Sequence, residues 1–181
     1  PTSRMGIAAL IRGELFRAKQ YYEKHKNIEN ETDDLDFDME SFRPLFEHKI
    51  PLKAHAHRTD DIFTAIRIAK EFQVDLTLDH CTEGHLISKE IAQSGYPAIV
   101  GPDLASRSKI EVKEADFKTA GILENAGVLV ALTTDHPVSR IQNLPLCAAF
   151  AAKEGLGEEE ALRAITINAA TICVVRIGWE A

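Results

Sequence analysis

Residues 50–85 read IPLKAHAHRTDDIFTAIRIAKEFQVDLTLDHCTEGH. An apolar run over 50–56 arrives at His55-Ala56-His57, and a short polar turn follows. Ile62, Phe63, Ile66, Ile68 and Ala69 then recur at helical spacing, which predicts a helix over 60–72 with an apolar face. A second apolar run, 74–79, stops on Asp79-His80, with His85 just beyond. Strand, loop, helix, strand is a βαβ unit, which joins two parallel strands by a crossover. Four of the chain's seven histidines fall at the strand ends of this unit, where such a fold brings side chains together.

The same alternation continues downstream. A helix over 85–94 is closed by Gly95, and a strand over 97–100 leads into the polar loop GPDLASRSKIEVKE. A helix over 115–125 is closed by Gly127, and a strand over 128–133 runs into Thr134-Asp135-His136-Pro137. Two helices, 144–153 and 158–165, follow. Upstream, Thr2 or Ser3 caps a helix reaching about residue 26, with Ile7, Leu10, Ile11, Leu15 and Ala18 as its apolar stripe. The acidic segment 27–40 reads as a surface linker, and Asp38 as the N-cap of a short helix over 39–49 interrupted by Pro44. Four near-continuous apolar strands, each followed by a helix, predict an α/β chain with a buried parallel sheet. The sheet is either open and doubly wound or part of a (β/α)8 barrel, since four units alone do not close eight strands. The whole of 1–181 is expected to form one domain.

Composition narrows the function. At 181 residues with 45% hydrophobic and 27% charged content, the chain is of ordinary globular type. A net charge of −7 argues against nucleic acid or an anionic membrane as partner. No apolar run approaches the roughly 18–20 residues of a membrane span, and no basic-then-apolar signal segment opens the chain. Three cysteines, Cys81, Cys147 and Cys173, without a CxxC pair read as free thiols, which suits the cytoplasm. The chain begins at Pro1 rather than Met, as a piece of a longer protein would.

Functional groups of α/β proteins gather at the C-terminal ends of the strands. Here those ends offer His55 and His57, then Asp79 and His80, then Asp103, then Asp135 and His136. Imidazoles with a carboxylate suit a divalent metal, Zn²⁺ first, with Fe²⁺ or Mn²⁺ also fitting. One histidine at a strand end is commonly a hydrogen-bonded structural residue, but several ends that finish on His or Asp favour a metal site. His57 either joins His55 or lies past the strand in the loop. Arg58 either binds a substrate carboxylate or pairs with Asp60 or Asp61. Glu83 reads as a local hydrogen-bonding partner, His85 and His136 as supporting or loop residues, and His25 and His48 as solvated. No nucleophile elbow, P-loop or dinucleotide fingerprint occurs.

The pieces PTSRMGIAALIRGEL, IPLKAHAHRTDDIFTAIRIAKEF, LTLDHCTEGHLI, IVGP, LTTDHPV and ALRAITINAA together resemble the amidohydrolase superfamily, in particular its imidazolonepropionase-like metal-dependent hydrolases. The resemblance implies a distorted TIM-like (β/α)8 barrel, of which the four βα units here correspond to strands five to eight, preceded by an N-terminal helix. It implies that His55 is the strand-five metal ligand. His80 is then the strand-six histidine, which binds metal or polarises substrate, and Asp135 the strand-eight aspartate that binds metal and carries protons. His57, Arg58, Glu83, His85 and His136 become supporting or substrate-binding candidates. The implied activity is hydrolysis of a non-peptide C–N bond in a small molecule, a cyclic amide or amidine-like group, by metal-activated water. The family's strand-one His-x-His pair, its strand-four lysine or glutamate and its Gly-Lys-Asp-Ala-Asp tail are absent from this sequence. That departure supports an alternative: a non-catalytic half-barrel, inactive alone, that is a structural or oligomeric fragment or a metal-free ligand-binding module. Either way, pairing with a second copy or with the missing half-barrel is expected.

Overall fold

Four short strands form the sheet: β1 (Leu52–Ala56), β2 (Leu76–His80), β3 (Ala98–Val100) and β4 (Val130–Leu132). They lie in the order β1-β2-β3-β4, with parallel registers Leu78↔Ala98↔Val130 and Asp79↔Ile99↔Ala131. A doubly wound sheet needs a reversal of strand order at a switch point, and this sheet has none. With right-handed crossovers, sequential order sends every connecting helix to the same face, as in a segment of a (β/α)8 barrel. The computed structural model describes residues 2–26 and 35–174.

Backbone packing divides the chain into two units, Pro1–Leu52 with Arg67–Asp75, and Lys53–Ile66 with Leu76–Ala181. In the first, helix α1 (Arg4–His25) starts at Ser3, whose hydroxyl accepts from the Gly6 amide at 3.1 Å. Leu15 and Ala18 are buried, and Arg12 clamps Glu71 through two hydrogen bonds of 2.8 and 2.5 Å. Ile7, Leu10 and Ile11 stay 48%, 56% and 42% exposed, so the expected stripe is buried only towards its C-terminal end. Helical spacing fixes which residues share a face; it does not fix whether another element covers that face.

Two short helices follow, α2 (Phe37–Glu40) and α3 (Arg43–Phe46), the second with Pro44 in its first turn. The cap is Asp36, whose carboxylate accepts from the amides of Asp38 and Met39, rather than the expected Asp38. Of the expected linker, 27–34 lie outside the described residues. His25 is buried, with Nδ1–H donating to the Tyr21 carbonyl at 2.8 Å and the ring against Tyr21. This corrects its reading as a solvated residue; His48 is exposed beside Asp75.

In the second unit, Leu78, Ala98, Val130 and the next row, His80, Val100 and Leu132, are buried on one side of the sheet, and Thr77 and Ala131 are buried on the other. Of helix α4 (Thr59–Phe72), Ile62 and Ile66 in this unit and Ile68 and Ala69 in the first are buried, whereas Phe63 is 44% exposed, against expectation. Helix α5 (Ser88–Ser94) ends at Gly95, where φ is 77°. Helix α6 (Lys118–Asn125), α7 (Leu144–Ala151) and α8 (Glu158–Ala164) are somewhat shorter than their apolar patterns. A last helix, α9 (Ile167–Ile172), lies beyond the expected elements. Its Asn168 donates from Nδ2 to the Val130 carbonyl at 2.9 Å. Ala98 bonds to Leu129, so the Val130 carbonyl points away from β3, and Asn168 satisfies an acceptor on the open sheet edge.

Two mid-helix glycines contrast. A Cβ at Gly121 of α6 would lie 2.7 and 2.8 Å from backbone atoms of Gly155 and Leu156, whereas one at Gly13 of α1 would meet nothing. Gly121→Ala is therefore expected to destabilise by about 1–3 kcal/mol through overpacking. Gly13→Ala is expected to be neutral or stabilising by up to about 1 kcal/mol. The chemical denaturation midpoint should fall in Gly121→Ala and hold or rise in Gly13→Ala; an equal fall in both would contradict the packing described here.

Candidate metal centre

Strand alternation sets the first part of the site. Lys53 and His55 of β1 share a face with Thr77 and Asp79 of β2, and Lys53 Nζ lies 3.2 Å from both Thr77 Oγ1 and Asp79 Oδ1. At the end of β2 the backbone leaves the extended region, with φ 77° at His80 and 49° at Cys81. Such conformations cost of order 1–3 kcal/mol each for residues with a Cβ and concentrate at functional sites. His80 Nδ1–H donates to the Gly101 carbonyl at 2.7 Å; a carbonyl only accepts, so the proton sits on Nδ1 and Nε2 faces the site. That Nε2 is 3.1 Å from His55 Nδ1. Gly101 itself has φ 118°, and a Cβ there would collide with the Thr133 carbonyl oxygen. Only glycine fits this position.

His57 follows the last β1 residue. Its ring centroid is 4.8 Å from that of His55 and 4.7 Å from that of His80, and its Nδ1 lies 2.7 Å from Thr82 Oγ1. One potential ligand atom from each of His55, His57 and His80 falls within 4.8 Å of the others. Burial, then the charges of His80 and His55, pushes the His57 imidazole down to about 4. Burial and His80 likewise lower His55, against the opposing pull of Glu111, Asp135 and Asp79. At neutral pH both rings are therefore neutral and carry a free lone pair, the form a metal needs.

The arrangement fits a divalent ion. The 3.1 Å separation of His55 Nδ1 and His80 Nε2 is close to the nitrogen–nitrogen edge expected of a tetrahedral site with Zn–N of about 2.0–2.1 Å. In two of the three imidazoles, Nδ1 is tied to protein, as metal-binding histidines usually are through the nitrogen that does not ligate. Cys81 is no competitor for such an ion, because burial pushes its thiol up to about 12.

Asp135 is exposed just past β4, with φ 47° and its amide bonded to Thr133 Oγ1, and its charge reaches His55. Arg58 forms a two-point pair with Asp60, at 3.1 and 3.3 Å. Glu83 accepts from the Thr59 amide at 2.9 Å, His85 faces Thr119 at 3.1 Å, and His136 is exposed. The charges around Asp103 are those of Asp116 and Arg107; burial and then Asp116 push its carboxyl up to about 7. Sequence reasoning missed Thr82, Gly101 and Glu111. Gly101 lies in the IVGP piece and Thr82 directly before Glu83, but neither is a residue type that announces a metal site.

No family model and no curated protein matches the chain. Among solved structures it is similar to an amidohydrolase from Thermotoga maritima MSB8, with a TM-score of 0.89 and 40% identity. The match covers 96% of this chain and 46% of that one, so the chain spans a little under half the length of this relative.

A depressed histidine pKa means that the unfolded chain binds more protons between about 4 and 6.5, so His57 stabilises the fold increasingly as pH rises through that window. The stability advantage of wild type over His57→Gln should therefore grow from pH 4 to pH 6.5 in denaturant titrations. An advantage independent of pH would contradict the desolvated, neutral His57.

Proposed function

We propose that this chain is the strand-five-to-eight part of the barrel of a metal-dependent amidohydrolase, of the imidazolonepropionase-like type. The whole enzyme hydrolyses a non-peptide C–N bond, cyclic amide or amidine-like, in a small cytoplasmic molecule. The observation that carries this reading is the convergence of His55, His57 and His80 on one point. Similarity to a solved amidohydrolase over 96% of the chain supports it.

In this reading His55 and His80 hold the metal, with His57 as a third imidazole and Asp135 approaching from the turn after β4. Zinc suits such donors best. When bound, the metal supplies Lewis acidity and lowers the pKa of water. The chain's own residues then do the rest. His80, fixed through Nδ1, presents Nε2 to the metal or to the substrate's carbonyl or amidine group. Asp135, exposed and turned out of the strand by its left-handed backbone, takes the proton of the attacking water and returns it to the leaving nitrogen.

Zinc or cobalt titration by calorimetry tests this. The full chain should bind one equivalent, and His55→Ala, His80→Ala and Asp135→Ala should each weaken binding, the histidine variants by more than the roughly 10–100-fold typical of losing an outer-shell partner. Binding that survives His55→Ala and His80→Ala would contradict the proposal.

A second reading is favoured by the 46% coverage and by β1 and β4 standing at the two ends of the sheet. Here the chain alone is inactive, and its open edges pair with a second copy or with the other half of the barrel. Sedimentation separates the cases: this reading requires a dimer or larger, and a monodisperse monomer contradicts it.

A further inference from the structure

We propose that Thr82 and Glu83 act together as a strap that positions His57, holding its ring so that Nε2 faces His55 and His80; this rests on the metal-centre reading above. Alternation within a strand says nothing about where His57 points, because β1 ends at Ala56. Three hydrogen bonds from one dipeptide decide it. Thr82 Oγ1 meets the ring at Nδ1, 2.7 Å away. The Glu83 amide donates to the His57 carbonyl at 2.8 Å. The Glu83 carboxylate accepts from the Thr59 amide at 2.9 Å, two residues further along. The ring, the carbonyl and the following turn are thus pinned from a single point just past β2.

His57 and Thr82 are both buried, at 9% and 6% exposure, so neither polar group has ready access to water as a substitute partner. The same device recurs at His80, whose Nδ1–H is tied to the Gly101 carbonyl. Two imidazoles held by Nδ1 each have Nε2 left over. In the proposed arrangement Thr82 accepts from His57 Nδ1–H and is a positioning residue. Glu83, its carboxylate engaged at the Thr59 amide, acts as a structural clamp.

Two measurements on the full chain test this. In the metal-free protein, nitrogen-15 NMR should find the His57 proton on Nδ1; a proton on Nε2 would overturn the proposal whatever the variants do. Zinc and cobalt affinities should fall about 10–100-fold in Thr82→Val and return to within about threefold of wild type in Thr82→Ser. The cobalt absorption spectrum should change in the valine variant and recover in the serine variant. Wild-type binding with an unchanged Thr82→Val affinity sinks the strap alone. Failure of wild type to bind either ion sinks the metal reading, and the strap's purpose with it.

Discussion

The hydrogen bond from His80 Nδ1 to the Gly101 carbonyl, 2.7 Å long, ties together the C-terminal ends of β2 and β3. It selects one tautomer of His80 and leaves Nε2 facing His55. The backbone on both sides is bent to allow it. His80 and Cys81 take positive φ, and Gly101 sits where any side chain would strike Thr133. Strain of this kind persists only where the surroundings over-determine it. The parallel register His80↔Val100↔Leu132 and the buried rows beneath it supply that support.

Electrostatics agrees with the geometry. Three imidazoles packed at 4.2–4.8 Å between centroids repel one another when protonated, and burial adds to the penalty. His55 and His57 are therefore uncharged near neutrality, with their lone pairs available. Nearby acids, Asp79, Glu111 and Asp135, lie close enough to act on His55. A divalent cation would bring the positive charge that this mixture of neutral imidazoles and acids lacks. Asp103 belongs to a different environment, shared with Asp116 and Arg107.

Much of the architecture was legible because apolar runs of strand length alternate with helical spacing from residue 50 to 133. The strand ends could be read from where those runs stop, which is how His55, His80 and Asp135 stood out. Strand order could not be read this way, since a doubly wound sheet and a barrel segment share the same local pattern. His57 was ambiguous for a related reason: alternation loses its meaning one residue past the strand, and only the contact with Thr82 settles its orientation. Asp36 displaced Asp38 as a cap because several acids in that segment are equally able to accept backbone hydrogen bonds. His25 was misplaced because its burial comes from Tyr21 and its own helix, which polarity alone does not reveal.

The metal centre proposed at His55, His57 and His80 is open to direct test. X-ray absorption at the zinc edge of the zinc-loaded chain tests it directly. A nitrogen and oxygen shell at about 2.0–2.1 Å with the multiple-scattering pattern of about three imidazoles is expected. A sulfur shell at about 2.3 Å, or a shell of oxygens without imidazole scattering, would contradict it.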